Sequence, residues 1–260
     1  MLDNAITAAL RRTEPDEIGP ALRSVIFRHG DVLAEAGHPI EHVFFPASGL
    51  ISIVIDLNGG ESIESAMIGH DGVVGGIAAF GGKIHVSTAF AQIPGQGWAM
   101  RAADFSNFVR GDPRLEALLV AHEQFTLAQA QQMAACNARH HIPQRMASWF
   151  LRASDATGEN ELHLTQEYMA QMLGVQRASV SVFAAQLQDE GYIRYRRGRV
   201  TITDRGRLAE KACECYGALC KRRDALYTAS GGNGHRHAHD LHLPSASHQP
   251  AGQSVGLSGR

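Results

Sequence analysis

The chain has 260 residues, of which 44% are hydrophobic and 19% charged, and its formal net charge is -2. That length suffices for two domains with cores of their own, without disulfides or structural metals, and the near-neutral balance excludes a chain that is basic throughout, so any nucleic-acid surface has to be local. The N-terminus has no long apolar run after its basic residues, as a signal peptide would, and no stretch reaches the roughly 18–20 apolar residues of a membrane span; a cytoplasmic protein with no membrane partner is expected.

Residues 4–12 read as a short helix. From Val25 to about Met100, β-branched and aromatic residues come in short runs punctuated by glycine and proline. Residues 50–57 form a strand, Asn58-Gly59-Gly60 a turn that tolerates positive φ, and residues 61–68 the returning strand of a hairpin. Residues 86–93 form another strand, stopped by Pro94-Gly95, and together these strands predict a small sandwich or barrel-like roll. Asp112 followed by Pro113 is an N-cap with proline at the first helical position. The helix it opens places Leu115, Leu118, His122, Phe125, Gln129, Gln132 and Cys136 at heptad spacing. Such a seam serves a helix packed on its own domain or one paired with its twin, and the length of the helix favours the twin. Pro143 opens another helix through Leu151, and residues 155–160 are a polar connection.

The stretch Thr165-Gln-Glu-Tyr-Met-Ala-Gln-Met-Leu-Gly-Val-Gln-Arg-Ala-Ser-Val-Ser-Val-Phe183 carries the function. Thr165 is a good N-cap; Met169, Ala170 and Leu173 make an inward face; Ala170 leaves room for two helices to cross; Gly174 suits a left-handed turn; Val180 and Phe183 resume the inward face. That is helix-turn-helix spacing, with the second helix destined for a major groove. Residues 192–196 and 199–203 read as two strands around Arg197-Gly198, the wing of a winged helix. Between positions 177 and 207 there are seven arginines, at 177, 194, 196, 197, 199, 205 and 207, against the acids Asp189, Glu190 and Asp204, a local basic patch suited to phosphates. The expected DNA contacts are Arg177 bidentate to guanine, Gln176 to adenine or a nearby phosphate, and Ser179 and Ser181 to backbone or base edges. Thr165 and Gln166 are assigned to phosphate at the first helix, and Arg197 and Arg199 to phosphate at the wing.

These residues resemble the Crp/Fnr family of bacterial transcription regulators over positions 25–216. In the first half the resemblance rests on Gly30-Asp-Val-Leu-Ala-Glu-Ala-Gly37 and Val43-Phe-Phe-Pro-Ala-Ser-Gly-Leu50, and in the second on Leu164-Thr-Gln-Glu167 through Glu190-Gly-Tyr-Ile193. It implies an α+β chain: a cyclic-nucleotide-binding-like β-roll as sensor (1–108), a long dimerisation helix (109–138) and a winged helix-turn-helix DNA-binding domain (139–217); the C-terminal extension (218–260) is Gly-, Ser-, His- and Pro-rich from Ala229 onward and on that composition reads as largely disordered. It further implies a homodimer on an inverted-repeat site in double-stranded DNA, with RNA polymerase as a partner. Three departures qualify it. Cyclic-nucleotide binders carry a Gly-Glu pair and a later arginine, where this chain has Gly75-Gly76 and Val86; Lys83 and His85 are the nearby cations, so Gly75, Gly76, Lys83 and His85 are the candidate ligand residues and a cyclic nucleotide is not expected. No cysteine precedes Cys136, so the family's N-terminal iron-sulfur cluster is not expected. Ala178 and Val182 stand where the common recognition helix has glutamate and arginine, which implies a different operator.

Other motifs read as incidental. Cys136 is remote from Cys213, Cys215 and Cys220, and the C-x-C-x4-C run fits neither zinc nor disulfide spacing; the four read as free, buried or partly buried thiols, with a redox or metal role as the alternative and no metal site expected. His140-His141 beside Pro143 reads as a helix junction. Phe27-Arg28-His29-Gly30 resembles the Arg-His-Gly of histidine phosphatases, but a second histidine with a partner motif is missing and no catalytic residue is expected. The tail histidines 235, 237, 239, 242 and 248 are an incidental tract or, alternatively, ligands for zinc, nickel or copper.

Overall fold

The computed structural model describes residues 4–13 and 15–230; the histidine tract lies outside them. The chain opens with α1 (Ala5–Thr13) and α2 (Pro15–Ala21), followed by strands β1 (Arg23–Phe27), β2 (Val32–Ala34), β3 (His42–Pro46), β4 (Leu50–Asp56) and β5 (Ser62–Ile68). A 3-10 turn (Gly76–Phe80) precedes β6 (Thr88–Ile93) and β7 (Gly95–Arg101). Asn4 caps α1, its Oδ1 accepting from the Ile6 and Thr7 amides at 2.9 and 3.2 Å while its amide group donates to Pro46 and Gly72 carbonyls. One buried asparagine thus starts the first helix and fastens it to the roll.

Two antiparallel sheets, in orders β1-β7-β3 and β2-β6-β4-β5, make the roll. Pro94, expected to stop a strand, is the bend between β6 and β7: the chain runs on through it from one sheet into the other and keeps its register against β3 and β4, β7 joining β1 and β3. The apolar run of β4 is buried on both sides, as a continuous rather than alternating run implies. Ile51 faces the space between the sheets with Phe27, Val74 and Ala91. Leu50 and Val54 face outward into a second core formed with the C-terminal half of the chain.

α3 (Ala102–Arg110) leads to α4 (Pro113–Arg139), 27 residues long and so about 40 Å from end to end. Asp112 caps α4 by accepting from the Arg114 and Leu115 amides. Then come α5 (Ile142–Thr157), β8 (Glu161–His163), α6 (Gln166–Leu173), α7 (Arg177–Asp189), β9 (Ile193–Arg196), β10 (Arg199–Ile202), α8 (Arg205–Lys211) and α9 (Glu214–Ala229).

Three expectations are corrected. The seam proposed for a twin helix faces the chain itself. His122 Nε2 lies 2.9 Å from the Val73 carbonyl, the ring of Phe125 packs edge-on to Tyr227, Gln129 exchanges hydrogen bonds with the Met67 backbone, and Gln132 and Cys136 meet Cys215 and Cys213. The cause is α9, which runs antiparallel along α4 and carries the packed structure to residue 229, past the boundary at 217 expected for the DNA-binding domain. The opposite side of α4 bears a second heptad row, Ala117, Val120, Gln124, Leu127, Gln131, Ala134 and Ala138, all exposed, with Leu127 at 59%. Finally, Asp155 is no linker residue: it sits in the last turn of α5, buried against Arg205 and Tyr216.

Candidate nucleic-acid interface

The Thr165 hydroxyl caps α6 by accepting from the Tyr168 amide at 3.3 Å. Gly174 ends α6 at φ 62°, and a Cβ there would touch Ile63 of β5 at 3.4 Å. The Arg145 guanidinium donates to the Leu173 carbonyl, satisfying the C-terminal end of α6. Gln176 is the N-cap residue of α7, whose Val180, Ala184 and Leu187 are fully buried. Arg177, Ala178, Val182 and Ala185 remain exposed on the other side, with Ser181 between them partly covered.

Of the predicted contacts, Ser181 and Gln166 are joined, the hydroxyl donating to Gln166 Oε1 at 2.7 Å. Arg177 lies 3.7 Å from Glu167, with both side chains about two-thirds exposed; an ion pair that open to water is weak and readily exchanged. Ser179 lies on the flank of α7. Val182, 64% exposed, is a functional candidate that the sequence reading named only as a departure from the family's pattern and not as a contact. An aliphatic side chain standing in solvent on a recognition helix was its signal.

The wing is β9 and β10, with Arg196 opposite Arg199 and β8 added on the far side of β10. Arg197 and Gly198 turn the hairpin at φ 49° and 74°, the two consecutive positive values that such a two-residue turn requires. Arg194, Arg196 and Arg197 are exposed. The seven arginines are not one surface, however. Arg199 pairs with Glu161 at 3.2 Å, Arg205 is engaged by Asp155, Ser154 and Tyr216, and Arg207 lies over the Tyr192 ring at 4.8 Å. Sequence counting treats them alike because it cannot tell a guanidinium that supports the domain from one presented to solvent.

This reading head is docked on the roll. His29 packs at a tilt against Tyr168 of α6 with ring centroids 4.0 Å apart, its Nδ1 2.8 Å from the Gln92 carbonyl. His70 Nδ1 likewise lies 2.8 Å from the Ala156 carbonyl, so His29 of the phosphatase-like motif and His70 are set among backbone groups at separate places. Between roll and reading head lies a buried polar network. Glu64 of β5 accepts from Ser52 at 2.6 Å and from the Trp149 indole at 2.9 Å, and Arg152 of α5 donates to Gln129 of α4 at 3.0 Å. Burial pushes the Glu64 carboxyl up to about 7, against the opposing pull of Arg152 and the two hydrogen bonds; burial likewise lowers Arg152.

The candidate ligand residues do not converge. Gly75 adjoins His85, whose ring lies 3.5 Å from a Cβ built on that glycine, whereas Gly76 faces α4, where a Cβ would sit 2.7 Å from Glu123 Oε1. Lys83 is exposed, and burial lowers the pKa of His85.

Two family models match the chain. The cyclic nucleotide-binding domain covers residues 24–112 and the Crp-like helix-turn-helix domain covers residues 144–211. The chain belongs to the Crp/Fnr family of transcription regulators. No curated protein matches it. FixK2 from Bradyrhizobium japonicum is similar in fold at 18% identity and TM-score 0.64, covering 74% of this chain and 98% of its own. A Crp/Fnr-family transcriptional regulator from Thermus thermophilus shares 25% identity at TM-score 0.58, covering 73% and 98%. The c-di-GMP-responsive global regulator CLP of Xanthomonas campestris shares 13% at 0.59, covering 74% and 99%. In this Crp/Fnr regulator the glycines of the candidate ligand position have a carboxylate and an imidazole as neighbours. Glu123 brings a carboxylate against Gly76 where an anion would need a cation, and His85 is biased toward its neutral form.

Proposed function

We propose that this Crp/Fnr regulator binds an inverted repeat in double-stranded DNA as a cytoplasmic homodimer and acts on transcription through RNA polymerase. The observation that carries the reading is the exposed face of α7, with Arg177, Ser181 and Val182 beside the arginines of the wing. Arg177 is assigned to guanine and Val182 to a thymine methyl. Gln176 and Ser179 are assigned to flanking base or backbone positions, and Thr165, Gln166, Arg197 and Arg199 to phosphates, Arg199 leaving Glu161 to do so. The exposed heptad row of α4 joins two protomers, setting the half-sites about one helical turn apart. The roll is the sensor, and its signal is not a cyclic nucleotide.

The test is selection of bound sites from random duplexes by the purified chain, with and without cell extract. Recovery of a palindrome whose affinity falls steeply with salt is the expected result. Failure to enrich any sequence in both conditions overturns the reading.

A further inference from the structure

Among the described residues, Cys136, His140, Cys213 and Cys215 bring three sulfurs and a ring nitrogen within 4.8 Å of one another. We infer that these four residues form a structural zinc site, which clamps the end of α4 to the junction of α8 and α9.

Two of the separations are those of a shared ion. Tetrahedral zinc with bonds of about 2.3 Å to sulfur and 2.0–2.1 Å to nitrogen places its ligands roughly 3.5–3.8 Å apart. The Cys136 and Cys213 sulfurs are 3.6 Å apart, and Cys215 Sγ is 3.5 Å from His140 Nδ1. Thiols that close leave no room for the bridged core of an iron-sulfur cluster, and soft sulfur donors with one imidazole select zinc over the hard cations.

The surroundings match as well. With Nδ1 turned to the ion, His140 offers its other ring nitrogen to Glu214 Oε1, at 3.1 Å, which is how a carboxylate orients a metal-bound histidine. Gln132 donates to the Cys215 sulfur at 3.1 Å. Three thiolates and one zinc leave a single negative charge, and Arg145 and Arg152 lie close enough to feel Cys136 and Cys213. Each pair of ligands is also held by its element. Cys136 and His140 stand one helical turn apart at the end of α4, and Cys213 is the N-cap residue of α9. The sequence conceals the site because its halves are 77 residues apart, and C-x-C alone is not a zinc spacing.

The test uses the full-length chain, purified without chelators and assayed for zinc. About one zinc per chain is expected. Metal-depleted protein titrated with cobalt(II) should give sulfur-to-cobalt charge transfer and the intense visible bands of a tetrahedral site. C136S and C213S should lose both signals and C220S should keep them, while Glu214→Gln should weaken zinc binding by about tenfold. A cobalt spectrum without the sulfur band means metal held only by other histidines and overturns the proposal. So does zinc content unchanged in C213S, or a metal-free protein with Cys136 and Cys213 joined as a disulfide. Should the serine variants fail to fold, the cobalt spectrum of the unaltered chain decides.

Discussion

Arg177 and Val182 read different things, and their replacements should fail differently. Arg177→Ala removes a bidentate donor, so binding to the selected operator should weaken by about 1–3 kcal/mol while random DNA is bound nearly as before. Equal losses on both, in a competition gel shift, would reassign Arg177 to phosphate. Val182→Ala removes methyl groups from an already exposed side chain, so folding is untouched and the expected change is a loss of preference for thymine at one position of each half-site, read by repeating the selection. The residues that position these two were legible in the sequence: Thr165 as a cap, Gly174 as a left-handed turn, Arg197-Gly198 as the wing tip. Each is dictated by local backbone chemistry. What could not be read was the fate of Arg199, Arg205 and Arg207, because Glu161, Asp155 and Tyr192 reach them only through tertiary folding.

At the level of the helix, α4 carries two heptad rows and the sequence does not say which faces outward. Both have spacings of three and four, and the inner row is the more apolar at its start. The choice is made by α9, which is polar enough to read as tail yet places Cys215, Tyr216 and Leu219 in the interior. The outer row therefore carries the association prediction. Leu127→Lys places a charge in the middle of a symmetric seam, opposite its own copy, and should shift the chain from dimer to monomer in sedimentation while leaving the helical circular dichroism unchanged. Operator binding should fall with it, since each half-site then has to be held alone. A Leu127→Lys protein that stays dimeric would place the interface elsewhere.

Across the whole molecule, Glu64, Trp149, Arg152 and Gln129 connect roll, long helix and reading head through buried polar contacts, so the chain should unfold as one unit with a pH signature. The folded Glu64 carboxyl keeps its proton up to about 7, while the unfolded one releases it near 4.5. Between those values the folded state binds more protons, so stability is full below about 4.5 and declines as pH rises through 7, by on the order of 3 kcal/mol. Chemical denaturation from pH 4 to 8 should record that decline, and Glu64→Gln should flatten it. An unaltered slope in that variant would assign the titration to another group. The division into β-roll, long helix and winged domain was visible from periodicity and turn residues. The docking of α6 on the roll was not, since Ile63 and Tyr168 look like ordinary strand and helix positions until the two surfaces meet.

The antiparallel seating of α9 on α4 has a consequence for how the protein is made. Translation delivers the roll, then a long helix, then the reading head, and only afterwards the segment that covers the inner row of that helix. Until the ribosome has passed residue 229, nascent chains hold a helix whose outer row is bare and whose inner row is covered by the roll alone, a state prone to clumping. A stop codon at position 214 spares every residue matched by either family model, yet its product should collect in the insoluble fraction, and a separate peptide spanning 212–230 supplied during synthesis should return part of it to solution.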